Sequence, residues 1–315
     1  MITLTDGLLE ELGKNFIEVI KNESDIVIKA SDKYHNLFSL IPSNIVINLY
    51  NKELLKYFPN NIVRNNGNLV NIPKKEIFRY ERNFNNNNFN LLSKTLRKIY
   101  LCNGYLDDVD FFEFVNLEVL DIEFVNKIIN LPSTLKNLYI NETNVFDFKV
   151  LPLGLQKLNI GINEIKNIDY LQNLTNLKNL NISCYDDEFN EEIIFPEHII
   201  KLSLFFENYD KPISYPKKLK VLSVNQLDIS NLPNIKVFIG NADFNQRLDN
   251  LQNIDELWVS EGFNQSLDFL PNTLKKLTIK NKNYSHDLYN LPLSLEKLVI
   301  PKNIKTNFTN VEFIS

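Results

Sequence analysis

Leu135-Lys136-Asn137-Leu138-Tyr139-Ile140 and Leu155-Gln156-Lys157-Leu158-Asn159-Ile160 are one phrase, Leu-x-x-Leu-x-Φ with Φ apolar, written twice at an interval of 20 residues. Working outward from this pair, the phrase occurs eleven times: Leu96-Ile99-Leu101, Leu117-Leu120-Ile122, Leu135-Leu138-Ile140, Leu155-Leu158-Ile160, Leu177-Leu180-Ile182, Ile199-Leu202-Leu204, Leu219-Leu222-Val224, Ile235-Phe238-Gly240, Ile254-Leu257-Val259, Leu274-Leu277-Ile279 and Leu295-Leu298-Ile300. The first residues lie 21, 18, 20, 22, 22, 20, 16, 19, 20 and 21 positions apart. The second and third apolar positions are two residues apart, so on an extended strand they face the same side. One unit cannot bury that side alone, and only stacked units can. The phrase therefore predicts a solenoid lined by a parallel sheet, with eleven strands at about 4.8 Å giving a surface roughly 50 Å across.

Seven of the twelve prolines stand just ahead of a phrase: Pro132, Pro152, Pro196, Pro216, Pro271 and Pro292 three residues before its first apolar position, and Pro233 two before. Proline donates nothing to a ladder and disfavours helix in the residue before it, so the return segments should be extended or irregular. The segments Leu131-Pro132-Ser133-Thr134-Leu135, Leu151-Pro152-Leu153-Gly154-Leu155 and Leu270-Pro271-Asn272-Thr273-Leu274 resemble the short repeats of bacterial effector leucine-rich proteins. Phe244-Asn245-Gln246 and Phe263-Asn264-Gln265, with a worn copy at Tyr284-Ser285-His286, each precede a phrase. That arrangement resembles the FNIP repeats, a leucine-rich subclass abundant in social amoebae and in giant viruses of amoebae, over residues 244 to 300. The expected fold class is an α/β leucine-rich-repeat solenoid shaped as a horseshoe, with a convex side that is mostly not α-helical. The asparagine three residues after Φ, common in other leucine-rich repeats, occurs only as Asn163 and Asn303.

The first ninety residues show no phrase. Leu8, Leu12, Phe16 and Ile20 recur at helical spacing after Thr5 or Asp6, and Val27, Ala30, Tyr34, Leu37 and Phe38 do so after Ser24 or Asp25. Two short helices are expected, over 6–21 and through 25–38. They would form a helical cap over residues 1–40, because a solenoid exposes raw core at its ends. Leu4 to Leu12 with Asp25 to Phe38 also resembles a worn F-box without the opening Leu-Pro. That resemblance implies docking to a ubiquitin-ligase adaptor. Residues 41–90 carry the tracts Asn60-Asn61, Asn65-Asn66 and Asn85 to Asn88 and read as an Asn-rich connecting segment, with a degenerate strand at Ile45, Val46, Ile47 and Leu49. The repeats then occupy 91–303, and 304–315, with Phe308, Val311, Phe313 and Ile314, reads as a closing partial repeat.

Composition narrows the function. The chain has 49 Asn and two Ala among 315 residues, a net charge of −5 and no basic block, so no nucleic-acid partner is expected. No apolar run reaches a membrane span. Cys102 and Cys184 are too few for a disulfide framework, and Met1-Ile2-Thr3 opens no signal-peptide pattern, so an intracellular, cytoplasmic protein with free thiols is expected. His35, His198 and His286 stand far apart, and Asp186, Asp187, Glu188, Glu191 and Glu192 read as a solvated loop. Neither a catalytic centre, a metal site nor a cofactor is expected.

Recognition remains. The residue between the second leucine and Φ points out of the sheet: Tyr100, Asp121, Tyr139, Asn159, Asn181, Ser203, Ser223, Ile239, Trp258, Thr278 and Val299. The other outward column is Lys98, Val119, Asn137, Lys157, Asn179, Lys201, Val221, Val237, Glu256, Lys276 and Lys297. Trp258, the sole tryptophan, with Val237, Ile239 and Val299, is expected to form an exposed apolar spot on the concave face. Tyr100 and Tyr139 form a second, and Asp121, Lys157 and Lys201 add charge. The expected function is a non-enzymatic scaffold that binds a protein there, as a receptor for a ubiquitin ligase; the alternative is an assembly protein that self-associates as a homodimer through the solenoid.

Overall fold

In the computed structural model, residues 2–12, 20, 25–29, 32–38, 40–42, 45–49, 62–65, 68–71, 77–80, 85–186 and 188–314 are described. The chain divides into two units, residues 1–106 with 113–117, and 107–112 with 118–315.

The first unit overturns part of the sequence reading. Strands β1 (Ile2–Leu4), β2 (Asp25–Ile28), β3 (Val46–Leu49) and β4 (Val63–Asn65) pair in parallel, in chain order, and β5 (Asn68–Asn71) turns back antiparallel on β4. Ile2, Ile26, Ile47 and Val63 share one register position. The repeat of about 20 residues thus already runs through the first unit. The segment expected to open the second helix, from Asp25, is instead a strand. Its reason is local: Ile26-Val27-Ile28 is β-branched throughout, which suits a pleated strand better than a helix. Helix α1 (Asp6–Leu12) is real, but it is the return segment after β1. Its Leu8 N–H is capped by Thr5 Oγ1 at 3.3 Å, and the rest of the expected helix, 13–19, lies outside the described residues. A 3₁₀ turn (Asp32–Tyr34) leads into α2 (His35–Phe38), the return segment after β2. Leu4, Leu9, Ile20, Ile26, Ile28, Phe38, Ile47 and Leu49 form one buried core. The degenerate strand expected near Ile45 is β3. Later in this unit β6 (Ile77–Tyr80) pairs in parallel with β7 (Lys98–Asp110), setting Phe78 beside Ile99 and Tyr80 beside Leu101, and α3 (Asn86–Phe89) lies between them in sequence.

In the second unit eleven strands follow one another in parallel: β8 (Val119–Asn130), β9 (Asn137–Asp147), β10 (Lys157–Lys166), β11 (Asn179–Cys184), β12 (Lys201–Phe206), β13 (Val221–Val224), β14 (Val237–Gly240), β15 (Glu256–Val259), β16 (Lys276–Ile279), β17 (Lys297–Pro301) and β18 (Val311–Ile314). The phrases are aligned by these pairings. Leu120, Leu138, Leu158, Leu180, Leu202, Leu222, Phe238, Leu257, Leu277 and Leu298 make one inward row and are all buried. Most phrases are entered through a tight turn. The N–H of the first apolar residue donates to the carbonyl three residues earlier, which is the proline in Leu135→Pro132 (3.1 Å), Leu155→Pro152 (3.0 Å), Leu219→Pro216 (3.1 Å), Leu274→Pro271 (3.0 Å) and Leu295→Pro292 (3.0 Å). Leu174 does the same for Leu177, so proline favours this turn without being required by it.

The return segments change character along the unit. In β8 to β10 the strand runs on past the phrase, and the continuation is itself paired: Val125 with Thr143, Glu164 with Val145, Ile165 with Phe146. From β13 to β16 the strands shrink to four residues. There Phe244, Phe263 and Tyr284 stack along the coil interior, with centroids 6.2 Å apart and rings within 6° and 11° of parallel. Gly240, standing where Φ should be, makes the space: a Cβ there would lie 2.5 Å from the Phe244 ring. Around the stack, side chains tie each turn to the next. Asn245 Oδ1 accepts from the Asn264 N–H (2.8 Å) and from Gln265 Nε2 (3.1 Å), and Asn264 Oδ1 accepts from the Ser285 N–H (2.9 Å). Gln246 Nε2 donates to the carbonyls of Gln226 and Leu227, both at 2.9 Å.

The last strand, β18, pairs with β17 and stands at the edge of the sheet. Phe313 occupies an inward row opposite Ile300, yet it is 52% exposed.

Candidate interaction face

Alternation along each strand places two outward rows across the second unit. One runs Asp121, Tyr139, Asn159, Asn181, Ser203, Ser223, Ile239, Trp258, Thr278 and Val299; the other runs Val119, Asn137, Lys157, Asn179, Lys201, Val221, Val237, Glu256, Lys276 and Lys297. Their inward neighbours are buried while most of these residues are partly or fully exposed. Asp121 is therefore beside Tyr139, and Val237 and Ile239 are one strand from Trp258. Lys157 and Lys201 are exposed, two strands apart. Tyr100 belongs to the first unit, on β7, half-buried, with the Arg79 guanidinium 4.8 Å from its ring centre.

Trp258 is half-buried, with its environment built by neighbours on its own and the next strand. Its indole Nε1–H donates to Glu256 Oε2 at 3.2 Å, and Lys276 Nζ lies 4.2 Å over the ring. A cation over an indole face adds about 0.5–1 kcal/mol at an exposed site, so the pair holds the ring in place without covering it. Single-column reading missed this contact because Lys276 reaches diagonally from the other row. The expected exposure of Val299 is not found. It is 8% exposed, since Thr278 and Glu312 flank it from both sides and Lys297 is drawn to Glu312 at 2.5 Å. Thr278 is buried too, at 3%, and its Oγ1 has no hydrogen-bond partner. The contiguous apolar strip is therefore Val221, Val237, Ile239 and Trp258, which keeps three residues of the spot read in the sequence, loses Val299 and gains Val221 one strand beyond Val237.

The middle of the face is small and polar. Asn181 Nδ2 donates to Asn159 Oδ1 at 2.7 Å, one strand to the next. Two asparagines that composition alone would dismiss are structural. Asn225, one residue past Φ, is buried and donates to the Phe206 carbonyl at 2.7 Å, and Asn281, two residues past Φ three turns later, is buried and donates to the Phe263 carbonyl at 2.9 Å.

Little else on the molecule is chemically pointed. Neither cysteine is bridged, and burial pushes the Cys184 thiol up to about 11, against nucleophilic use. Among the described residues no group of three or more His, Cys, Asp or Glu side chains is placed to hold a metal ion. Asp186 Oδ1 accepts from the Glu188 N–H at 3.0 Å as part of its own loop, and Asp187 lies outside the described residues. No helix among the described residues is long and apolar enough to cross a membrane.

No family model and no curated protein matches the chain. Among solved structures it is similar to CroV588, described as a novel circular LRR protein, with a TM-score of 0.51 at 19% sequence identity. The likeness covers 95% of this chain and 53% of that one, so the chain spans about half the length of the protein it resembles. With the repeated phrase and the in-register parallel strands, that likeness identifies the fold as a leucine-rich-repeat solenoid.

Proposed function

We propose that this solenoid is a non-enzymatic scaffold that captures a protein segment on its outward rows, which form the concave side of an open horseshoe. The observation that carries the reading is the half-buried Trp258, fixed by Glu256 and Lys276 beside Val237 and Ile239. A pre-positioned aromatic next to aliphatic side chains has the makings of a binding hot spot. Random peptides displayed on phage and panned against the full chain test it. Enrichment should fall about thirtyfold on Trp258→Ala, a loss of roughly 2 kcal/mol, with the circular-dichroism spectrum unchanged. Equal enrichment on both proteins would refute it.

In this reading the protein acts in the cytoplasm, and the FNIP likeness describes its later repeats. A hand-off of the captured target to a ubiquitin ligase through residues 1–40 is the extended form. Removing those residues would not test it cleanly, because Leu4, Leu9, Ile26, Ile28 and Phe38 belong to the core of the first unit. Exchanging exposed Glu10 and Lys33 is the milder probe. Adaptor binding that survives every such exchange counts against docking there.

A second reading, self-association, is favoured by β18. It is the edge strand among the described residues, with Phe313 exposed in an inward row, and edge strands pair with other strands. Sedimentation should then show a dimer that Phe313→Lys abolishes, whereas a monomer at all concentrations removes this reading.

A further inference from the structure

We infer that the outward rows recognise an extended acidic segment carrying an apolar residue midway between two carboxylates. The inference rests on the proposed capture of a protein segment at Trp258 and adds the chemistry of what is captured.

Charge carries the first step. The chain as a whole has a net charge of −5. From β10 to β17 the two outward rows hold four lysines, Lys157, Lys201, Lys276 and Lys297, against one carboxylate, Glu256. Glu256 is tied to the Trp258 indole, and Lys297 is paired with Glu312. Lys157, Lys201 and Lys276 make no ion pair among the described residues. An acidic protein that keeps unpaired lysines on one face has set that face apart in sign.

Geometry carries the second. Lys201, Val221, Val237, Glu256 and Lys276 occupy one register row on five successive strands. The backbones of two lysines thus stand at both ends of the apolar strip, four strand spacings or about 19 Å apart, with the Lys276 ammonium leaning inward over the Trp258 ring. A peptide crossing the strands in the polyproline II form covers that distance in about six steps of about 3.1 Å and returns every third side chain to the same face. Ile239 and Val237 lie two spacings from each lysine, opposite the fourth residue of such a peptide. The pattern that fits is acidic-x-x-Φ-x-x-acidic, its apolar residue seated against Ile239 and Trp258.

Synthetic heptapeptides and the emission of Trp258, the sole tryptophan, test this. Four peptides are titrated into the full chain: a central leucine flanked at both third positions by aspartate, by serine or by lysine, and a central serine flanked by aspartate. The aspartate–leucine peptide should bind about tenfold more tightly than each of the others. Its advantage should fade as salt shortens the screening length below about 8 Å, and it should vanish in Lys201→Glu/Lys276→Glu. The milder pair Lys201→Gln/Lys276→Gln serves if the reversal disturbs folding. Equal binding of the three leucine peptides would overturn the acidic pattern and leave capture at Trp258 standing. No response to any peptide would overturn both.

Discussion

The turns from Val119 to Lys166 and those from Phe238 to Tyr284 solve one problem in two ways. Both must carry the chain back from the end of one phrase to the start of the next while burying the far side of the coil. In the early turns the backbone does this: β8, β9 and β10 keep pairing beyond the phrase, and Val125, Phe146 and Ile162 fill the interior. In the late turns, side chains do it, through the Phe244–Phe263–Tyr284 stack and the asparagine and glutamine bonds around it. A backbone ladder accepts almost any residue of suitable polarity. A side-chain ladder demands the same residue at the same place in every turn, so the late turns read as sharp repeats and the early ones as diffuse.

If that contrast is right, the largest effect should come from the stack. Phe263→Ala removes the middle ring and should cost about 3–5 kcal/mol, while Val125→Ala in the early turns should cost about 2 kcal/mol; urea melts of both variants compare them, and equal losses would erase the distinction. Next come the glycines. A Cβ on Gly262 would collide with the Ala242 carbonyl oxygen, whereas one on Gly154 would meet only the Ser133 carbonyl oxygen at 3.7 Å. Gly262→Ala should therefore destabilise by about 1–3 kcal/mol. Gly154→Ala should be neutral or stabilise by up to about 1 kcal/mol by restricting the unfolded chain. Both are read from thermal melts.

Smaller effects separate the asparagines. Asn264→Ala strands the Ser285 N–H and should cost about 1 kcal/mol. Asn144 bonds only to other side chains, Asn126 and Asn163, so Asn144→Ala should cost less than about 0.5 kcal/mol. The smallest effect is a slope with pH. Cys184, at the end of β11 between the two regions, has its thiol raised by burial from 9.0 to about 11. The folded state then holds a proton that the unfolded state releases, so stability is intact below pH 9 and declines from 9 towards 11. Cys184→Ala should flatten that decline in denaturant titrations taken across the window.

The phrase itself was fully legible. Its three apolar positions are buried in every turn because the two-residue spacing of a strand leaves no other arrangement. The first ninety residues were not, because their turns lost the opening leucine and kept only pairs such as Ile26 and Ile28 or Ile47 and Leu49, which short helices also tolerate. Trp258 could be placed on the correct face by alternation alone. Its partners could not, since Lys276 and Glu256 reach it diagonally and along the strand, and the burial of Thr278 and Val299 depends on neighbours 13 to 21 residues away.

The hand-over from Asn245 to Asn264 to Ser285 has a consequence for how such a gene changes length. Losing residues 254–273 in frame would remove one whole turn, phrase and stack ring together. Tyr284 would then follow Phe244 in the stack, and Asn245 Oδ1 would face the Ser285 N–H as Asn264 Oδ1 does now. Both halves of the junction already carry matching ends, so a recombination slip of one period yields a shorter chain whose turns still bond across the junction. Copy number in the late turns is free to drift in a way that the early turns, whose register shifts at Gly161 against Asn141, do not share.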